Sequence, residues 1–183
     1  MLGALLVVLV IAAAVVFWAI STYNGLVRAR REVDNSFGQI DVQLKRRYDL
    51  IPNLVETVKG YMKHEQDTLE KVIQARNRAV GATGVHEKAE AEAQVQRSLG
   101  AVFALSEAYP ELRSNENMLS LQEELKSTEN KVAFARQYYN DAVTSYNTRI
   151  ETFPGSLFAS GFKAKELFEI ENPTEREAVK VSF

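Results

Sequence analysis

The chain of 183 residues contains no cysteine. That excludes a disulfide framework, a thiolate nucleophile and any thiolate metal site. Histidine is almost as scarce, with His64 and His86 the only two. His64-Glu65 begins like the zinc-protease pattern H-E-x-x-H, but position 68 is Thr, so the second ligand is missing. Gly81 and Gly84 lack the Lys-Ser/Thr that a phosphate-binding loop needs, and no G-x-S-x-G nucleophile elbow occurs. No strongly basic face with interleaved aromatics is present, which argues against nucleic acid. The carboxylates are plentiful but spread along stretches of helical pattern, where a solvated face is the default. The chain is therefore read as a non-enzyme with no cofactor, no metal and no expected small-molecule substrate. Proline is limited to Pro52, Pro110, Pro154 and Pro173, and these act as punctuation.

What the chain has in abundance is an apolar start. Met1 to Ile20 reads MLGALLVVLVIAAAVVFWAI, without a charge or a proline. Twenty helical residues span roughly 30 Å, the thickness of a bilayer's hydrocarbon core. In lipid a helix satisfies its own backbone polar groups. Leu2, Leu5, Leu9, Ile11, Val16 and Phe17 supply the apolar surface, and Trp18 sits near the end, where an indole favours the headgroup boundary. A cleaved signal peptide would carry a basic start and a shorter apolar core. Ala12-Ala13-Ala14 imitates a cleavage site, but Val15 to Trp18 continue the apolar run past it. The reading is a retained transmembrane anchor, with the bilayer as a partner.

Arg28, Arg30 and Arg31 flank the run on its C-terminal side, whereas at most one α-amino charge precedes it. The positive-inside rule then puts the bulk of the chain in the cytoplasm of a single-pass inner-membrane protein. The charge balance agrees: residues 21–80 hold 11 basic and 8 acidic side chains, residues 81–183 hold 11 and 16. A basic end beside the membrane suits anionic headgroups.

From Tyr23 to Val80 apolar residues recur at three- and four-residue steps. Leu26, Val33, Ile40, Leu54 and Tyr61 share one seam, and Phe37, Leu44, Ile51, Val58 and Val72 the other. This is an amphipathic helix, interrupted at core slots by Arg30, Arg47, Glu65 and Thr68. Beyond Tyr61 the stripe moves to Met62, Leu69, Ile73 and Val80, as a 3.6 period drifts against seven. Pro52 lacks an N–H and crowds the carbonyl of Tyr48. A kink is preferred to a break, because the stripe keeps its phase across it. The anchor and this helix are expected to form one rod of some 60 residues, very roughly 90 Å long.

Gly-Ala-Thr-Gly-Val at 81–85 is the first clear break. A second helix is expected from about His86 to Ala108, burying Val95, Leu99, Val102 and Phe103. Its early part, EKAEAEAQ, reads as a weak core face. Tyr109-Pro110 ends it. The last long helix opens near Ser114 or Asn115 as N-cap, and its stripe runs from Met118 through Tyr139 and Tyr146 to Phe153, ending at Pro154-Gly155. The expected fold is all-α, an antiparallel bundle of about three long helices. The domains on this reading are the anchor at 1–20, the bundle at 21–154 and a tail at 155–183. The tail is irregular or ends in a short strand at Val179 to Phe183.

Polar residues lie on or beside the seams. Arg47 stands near Asp49 and Pro52. Asn130, Arg136, Asn140 and Asn147 accompany Tyr139 and Tyr146. They are candidates for packing or subunit contacts, because a polar residue at a core slot can fix helix register. The competing reading is long side chains and tyrosines whose tips stay wet. In the tail, Phe158, Phe162, Phe168 and Phe183 are candidates for docking on a partner, for instance by strand addition.

The blocks QLKRRYDLIPNLV (Gln43–Val55), TENKVAFARQYYN (Thr128–Asn140) and YNTRIETFP (Tyr146–Pro154) resemble the LemA family of bacterial membrane proteins. Phe37 departs from the tryptophan common there but keeps the aromatic bulk. The resemblance implies a single-pass membrane protein with a long-helix bundle, no established enzymatic activity and no catalytic residue to carry over. It also implies membrane-stress contexts, sometimes beside a membrane metalloprotease of the HtpX kind, and magnetosome membrane formation. The expected role is a homo-oligomeric membrane scaffold. The alternative is an adaptor or regulator of another membrane protein, such as a protease or a sensor.

Overall fold

The computed structural model describes residues 1–62 and 64–169. Among these residues five helices and a 3₁₀ turn follow in order: α1 (Leu2–Lys59), α2 (Gln66–Gly81), α3 (Val85–Ser106), the single turn α4 (Pro110–Arg113), α5 (Glu116–Glu151) and the 3₁₀ turn Gly155–Gly161. No strand occurs among the described residues. The all-α expectation holds. The alternating pattern at Val179 to Phe183, like Pro173, lies outside the described residues.

Helix α1 is continuous through Pro52. The ring leaves the Tyr48 carbonyl without its helical donor. Arg76 Nε of α2 donates to that carbonyl at 3.3 Å, so the lost bond is replaced from outside the helix. The periodic stretch to Val80 is not one helix, however. It ends at Lys59 and turns at Gly60, with Tyr61 and Met62 N–H both donating to the Val58 carbonyl at 3.0 Å. The stripe passes from Tyr61 to Met62 at that turn: Met62 is buried and Tyr61 exposed.

The chain forms two compact units, and α1 and α5 contribute to both. The first comprises Met1–Gly38 and Gln137–Leu167. Leu26 and Val33 of α1 are buried, with Tyr139, Val143, Tyr146 and Ile150 of α5. The four α5 residues are spaced four, three and four apart, one face of a helix. Phe37 meets Tyr139 at 5.6 Å between ring centroids. The stripe expected to end at Phe153 instead passes to Val143 and Ile150, leaving Phe153 exposed.

The second unit holds Gln39–Arg136 with Phe168. Ile40, Leu44, Ile51, Leu54 and Val58 form its α1 face. Helices α2 and α3 pack on each other, joined by a turn in which Gly84 takes φ +83°, a left-handed value that suits glycine. The alanine-rich start of α3 is not a weak face: Ala89, Ala91, Glu92 and Ala93 are all buried. Small side chains let neighbouring helices approach closely, so alanine there marks tight packing. The N-cap of α5 is Asn115, whose Oδ1 accepts from Met118 N–H at 3.1 Å.

Candidate functional site

Among the described residues, the apolar run is the most extensive exposed apolar surface. Within α1 an 18-residue window has a mean hydropathy of 2.9, and none of it is buried. It is long and apolar enough to cross a membrane. Leu2, Leu5, Leu9, Ile11, Val16, Phe17 and Trp18 are all exposed. Of the flanking cations, Arg28 and Arg31 are exposed. Arg30 is half-buried, its guanidinium 5.4 Å from the centroid of the Phe162 ring.

The second candidate lies inside the second unit. Arg47 is 4% exposed and Glu92 1%. Arg47 Nη1 lies 3.0 Å from Glu92 Oε1, and Tyr48 Oη donates to Glu92 Oε2 at 2.7 Å. One carboxylate thus takes a cation and a phenol from adjacent residues of α1. Burial pushes the Glu92 carboxyl up despite Arg47 and Tyr48, which pull it down. Burial, then the Glu92 charge, pushes the Tyr48 phenol up as well, so it remains a donor. Arg47 Nε has no hydrogen-bond partner among the described residues. The Arg47 residue, with Gln96, Leu99, Gly100, Phe103, Gln122, Leu125, Lys126 and Glu129, lines a cavity of about 510 Å³. Gln96 Nε2 donates to Glu129 Oε1 across that lining at 3.0 Å.

The sequence groups Arg47 with Asp49 and Pro52. Both of those are exposed, because they sit two and five positions further round the helix. Sequence reasoning misses the partner, Glu92. The signal is present: Glu92 keeps the spacing of Val95, Leu99 and Val102, so α3 has an acid at a core slot just as α1 has a base.

A pH dependence follows. A carboxyl whose folded value lies above its ordinary 4.5 holds its proton more tightly when folded. Its contribution to stability is present below that pH and falls as pH rises toward the folded value. The urea midpoint of the native chain, measured against Glu92→Gln, should decline as pH rises from about 4.5 and then run parallel. A difference that stays constant from mild acid to neutrality would contradict it.

The α5 polar residues divide. Asn130 is exposed. Arg136 is half-buried with its guanidinium 5.6 Å from the Phe168 ring centroid, and Asn140 is half-buried. In the first unit Tyr139 Oη donates to the Glu166 carbonyl at 2.8 Å and Tyr146 Oη to the Lys163 carbonyl at 3.0 Å. Asn147 pairs with the Lys165 backbone in both directions at 2.9 Å. Lys165 Nζ reaches Asp34 at 2.9 Å. Burial pushes both phenols up, so they stay protonated donors. The tyrosine tips are therefore not wet: they strap an extended segment, residues 162–167, to the chain itself.

That strap corrects the tail expectation. Phe162 and Phe168 are buried by the chain's own residues, so they are not free to dock on a partner in this conformation. Phe158 is half-buried, and Phe183 lies outside the described residues. Among the described residues no group of three or more His, Asp or Glu side chains is placed to hold a metal ion.

Comparison with known proteins agrees with the motif blocks. The LemA family matches residues 36–183. The chain is similar to protein LemA of Metamycoplasma hominis, 28% identical over 131 residues, which is 71% of this chain and 60% of that protein. It is also similar to magnetosome proteins MamQ 1 and MamQ 2 of Paramagnetospirillum magneticum. Each is 32% identical over 74 residues, 39% of this chain and 27% of the relative. The chain thus spans about 60% of the length of the LemA relative and about 27% of the MamQ proteins.

Proposed function

The chain belongs to the LemA family, and from that premise we propose that it is a single-pass protein of the bacterial inner membrane whose helices serve as a homo-oligomeric scaffold. The observation that carries the reading is the apolar run, with no residue buried over an 18-residue window and continuous with a helix whose later residues are packed. Leaving a Val, Leu, Ile or Phe side chain in water forgoes about 1.5–3 kcal/mol each. Over a run of this length the sum exceeds the stability of an ordinary domain, so something must cover it. A bilayer covers it at no cost in unsatisfied backbone groups.

The arginines after the run orient the bulk of the chain toward the cytoplasm. Cysteine placed at exposed Arg113 should resist an impermeant thiol reagent on intact cells; labelling there would reverse the topology.

The scaffold part of the reading draws on apolar side chains that the chain leaves in solvent away from the run. Val42, Leu119 and Phe134 are exposed, and copies brought together in one membrane can cover them. The adaptor reading rests on the tail aromatics, and two of those are taken up internally. Mass photometry of the full chain in mild detergent, beside a form lacking residues 1–20, tests the proposal. A discrete high-order species that depends on the run is expected. A monomer or dimer in both forms would overturn the scaffold and leave the adaptor reading.

A further inference from the structure

The rings of Trp18 and Phe153 lie 5.8 Å apart between centroids, tilted by 40°. Trp18 belongs to the last turns of the apolar run. Phe153 follows the C-terminal end of α5, far away in sequence. The contact sets the foot of α5 beside the end of the run.

What the chain does at that foot is selective. Gly155 is buried, seated so closely that a Cβ would meet the Arg149 carbonyl and the Leu26 side chain. Phe162, a few residues on, is buried and edge-on to Tyr23 at 5.6 Å. Yet Phe153 is 72% exposed and Leu157, on the 3₁₀ turn that follows, is 64% exposed. The turn is held firmly by one side and shows two large apolar side chains on another. Single exposed apolar residues are ordinary. Phe153 is set apart by position, since it meets a tryptophan where an apolar helix gives way to a basic flank, and Leu157 lies on the turn that follows it. Arg149, one turn before Phe153, and Lys163, just after the 3₁₀ turn, are exposed and can reach lipid phosphates from that level. Between those two cations the sequence holds a single acid, Glu151.

We propose that the Phe153–Leu157 turn is a second membrane contact, inserting Phe153 and Leu157 into the boundary between headgroups and hydrocarbon beside Trp18. The partner is the lipid surface itself. Aromatic and aliphatic side chains at a turn, with cations just above, suit that boundary. The proposal rests on the anchor reading and extends it: the first unit is tied to the bilayer at two places distant in sequence.

Trp18 is the only tryptophan, which makes the test direct. The full chain is reconstituted in vesicles of phosphatidylcholine and phosphatidylglycerol carrying bromine on the acyl chains near the headgroups. Quenching is compared for native Trp18, for Phe153→Trp and Leu157→Trp each made with Trp18→Phe, and for Phe134→Trp with Trp18→Phe as the solvent control. Phe134 is 72% exposed and belongs to the second unit, not to the one that carries the apolar run. Emission from an indole placed at either turn position should be blue-shifted and quenched to at least about half the extent of Trp18, with the control unquenched. If Trp18 is quenched while both turn positions match the control, the second contact is wrong and the anchor stands. If Trp18 itself is unquenched, the anchor reading fails and takes this proposal with it.

Discussion

Glu92→Ala should destabilise the bundle by about 3–5 kcal/mol, because it leaves the Arg47 guanidinium buried without its carboxylate. For a domain of this size that is a fall in melting temperature of roughly 6–20 °C. Arg47 and Glu92 are 4% and 1% exposed, so neither can recover its hydration when the other is removed. Tyr48, whose hydroxyl donates to the same carboxylate, loses its acceptor as well. The pair is not thereby a large net source of stability. Replacing the whole cluster by apolar residues of similar volume, Arg47→Met, Tyr48→Phe and Glu92→Met together, should restore most of the loss, since no buried group is left unpaired. Helicity followed by circular dichroism during heating, in detergent, separates the cases. A single variant as stable as the native chain would mean that the cluster is hydrated. A triple variant as unstable as the single would mean that the charges themselves hold the helices.

Two glycine-to-alanine changes should act in opposite directions. At Gly155 the new methyl would run into the Arg149 carbonyl, with the Arg149 carbonyl carbon at 3.0 Å and a Leu26 methyl at 3.3 Å. Backbone cannot rotate aside, so the 3₁₀ turn must lift from its seat. Overpacking of this kind costs about 1–3 kcal/mol. Gly100 lies inside α3 and a Cβ there meets nothing within 4 Å. Alanine at that position should stabilise by about 0.5–1 kcal/mol, because glycine gives up more backbone freedom on entering a helix. Melting curves of the two variants should fall on either side of the native one. If both shift the same way, the turn is not seated as described.

Much of this architecture is legible in the sequence. The positions Leu26, Val33, Ile40, Arg47 and Leu54 are all buried, and the seven-residue spacing that joins them is visible without a structure. The breaks at Gly84 and Pro110 and the cap at Asn115 are readable from residue chemistry alone. The turn at Gly60 is not, because a stripe that drifts on a continuous helix and a stripe reset by a turn both move from Tyr61 to Met62. The face of α3 is misjudged for a related reason. Hydrophobicity undervalues alanine, whose contribution there is closeness rather than area, and a glutamate at a core slot looks like a surface residue until its cation is known. The strap at 162–167 has no periodic signal, since it is held by Tyr139, Tyr146 and Asn147 through its backbone. What can be read is the donor side alone: tyrosines and an amide on the buried face of α5, in need of acceptors.

Residues 1–20 are expected to remain on the chain and to hold it in a bilayer. Membranes from cells producing the protein, washed at alkaline pH, test it most directly, with intact mass read on whatever stays. The full-length chain is expected in the membrane pellet, and the form lacking residues 1–20 in the wash. Recovery of the full-length chain in the wash, or of a membrane-free chain from which the apolar run has been cleaved, would contradict it.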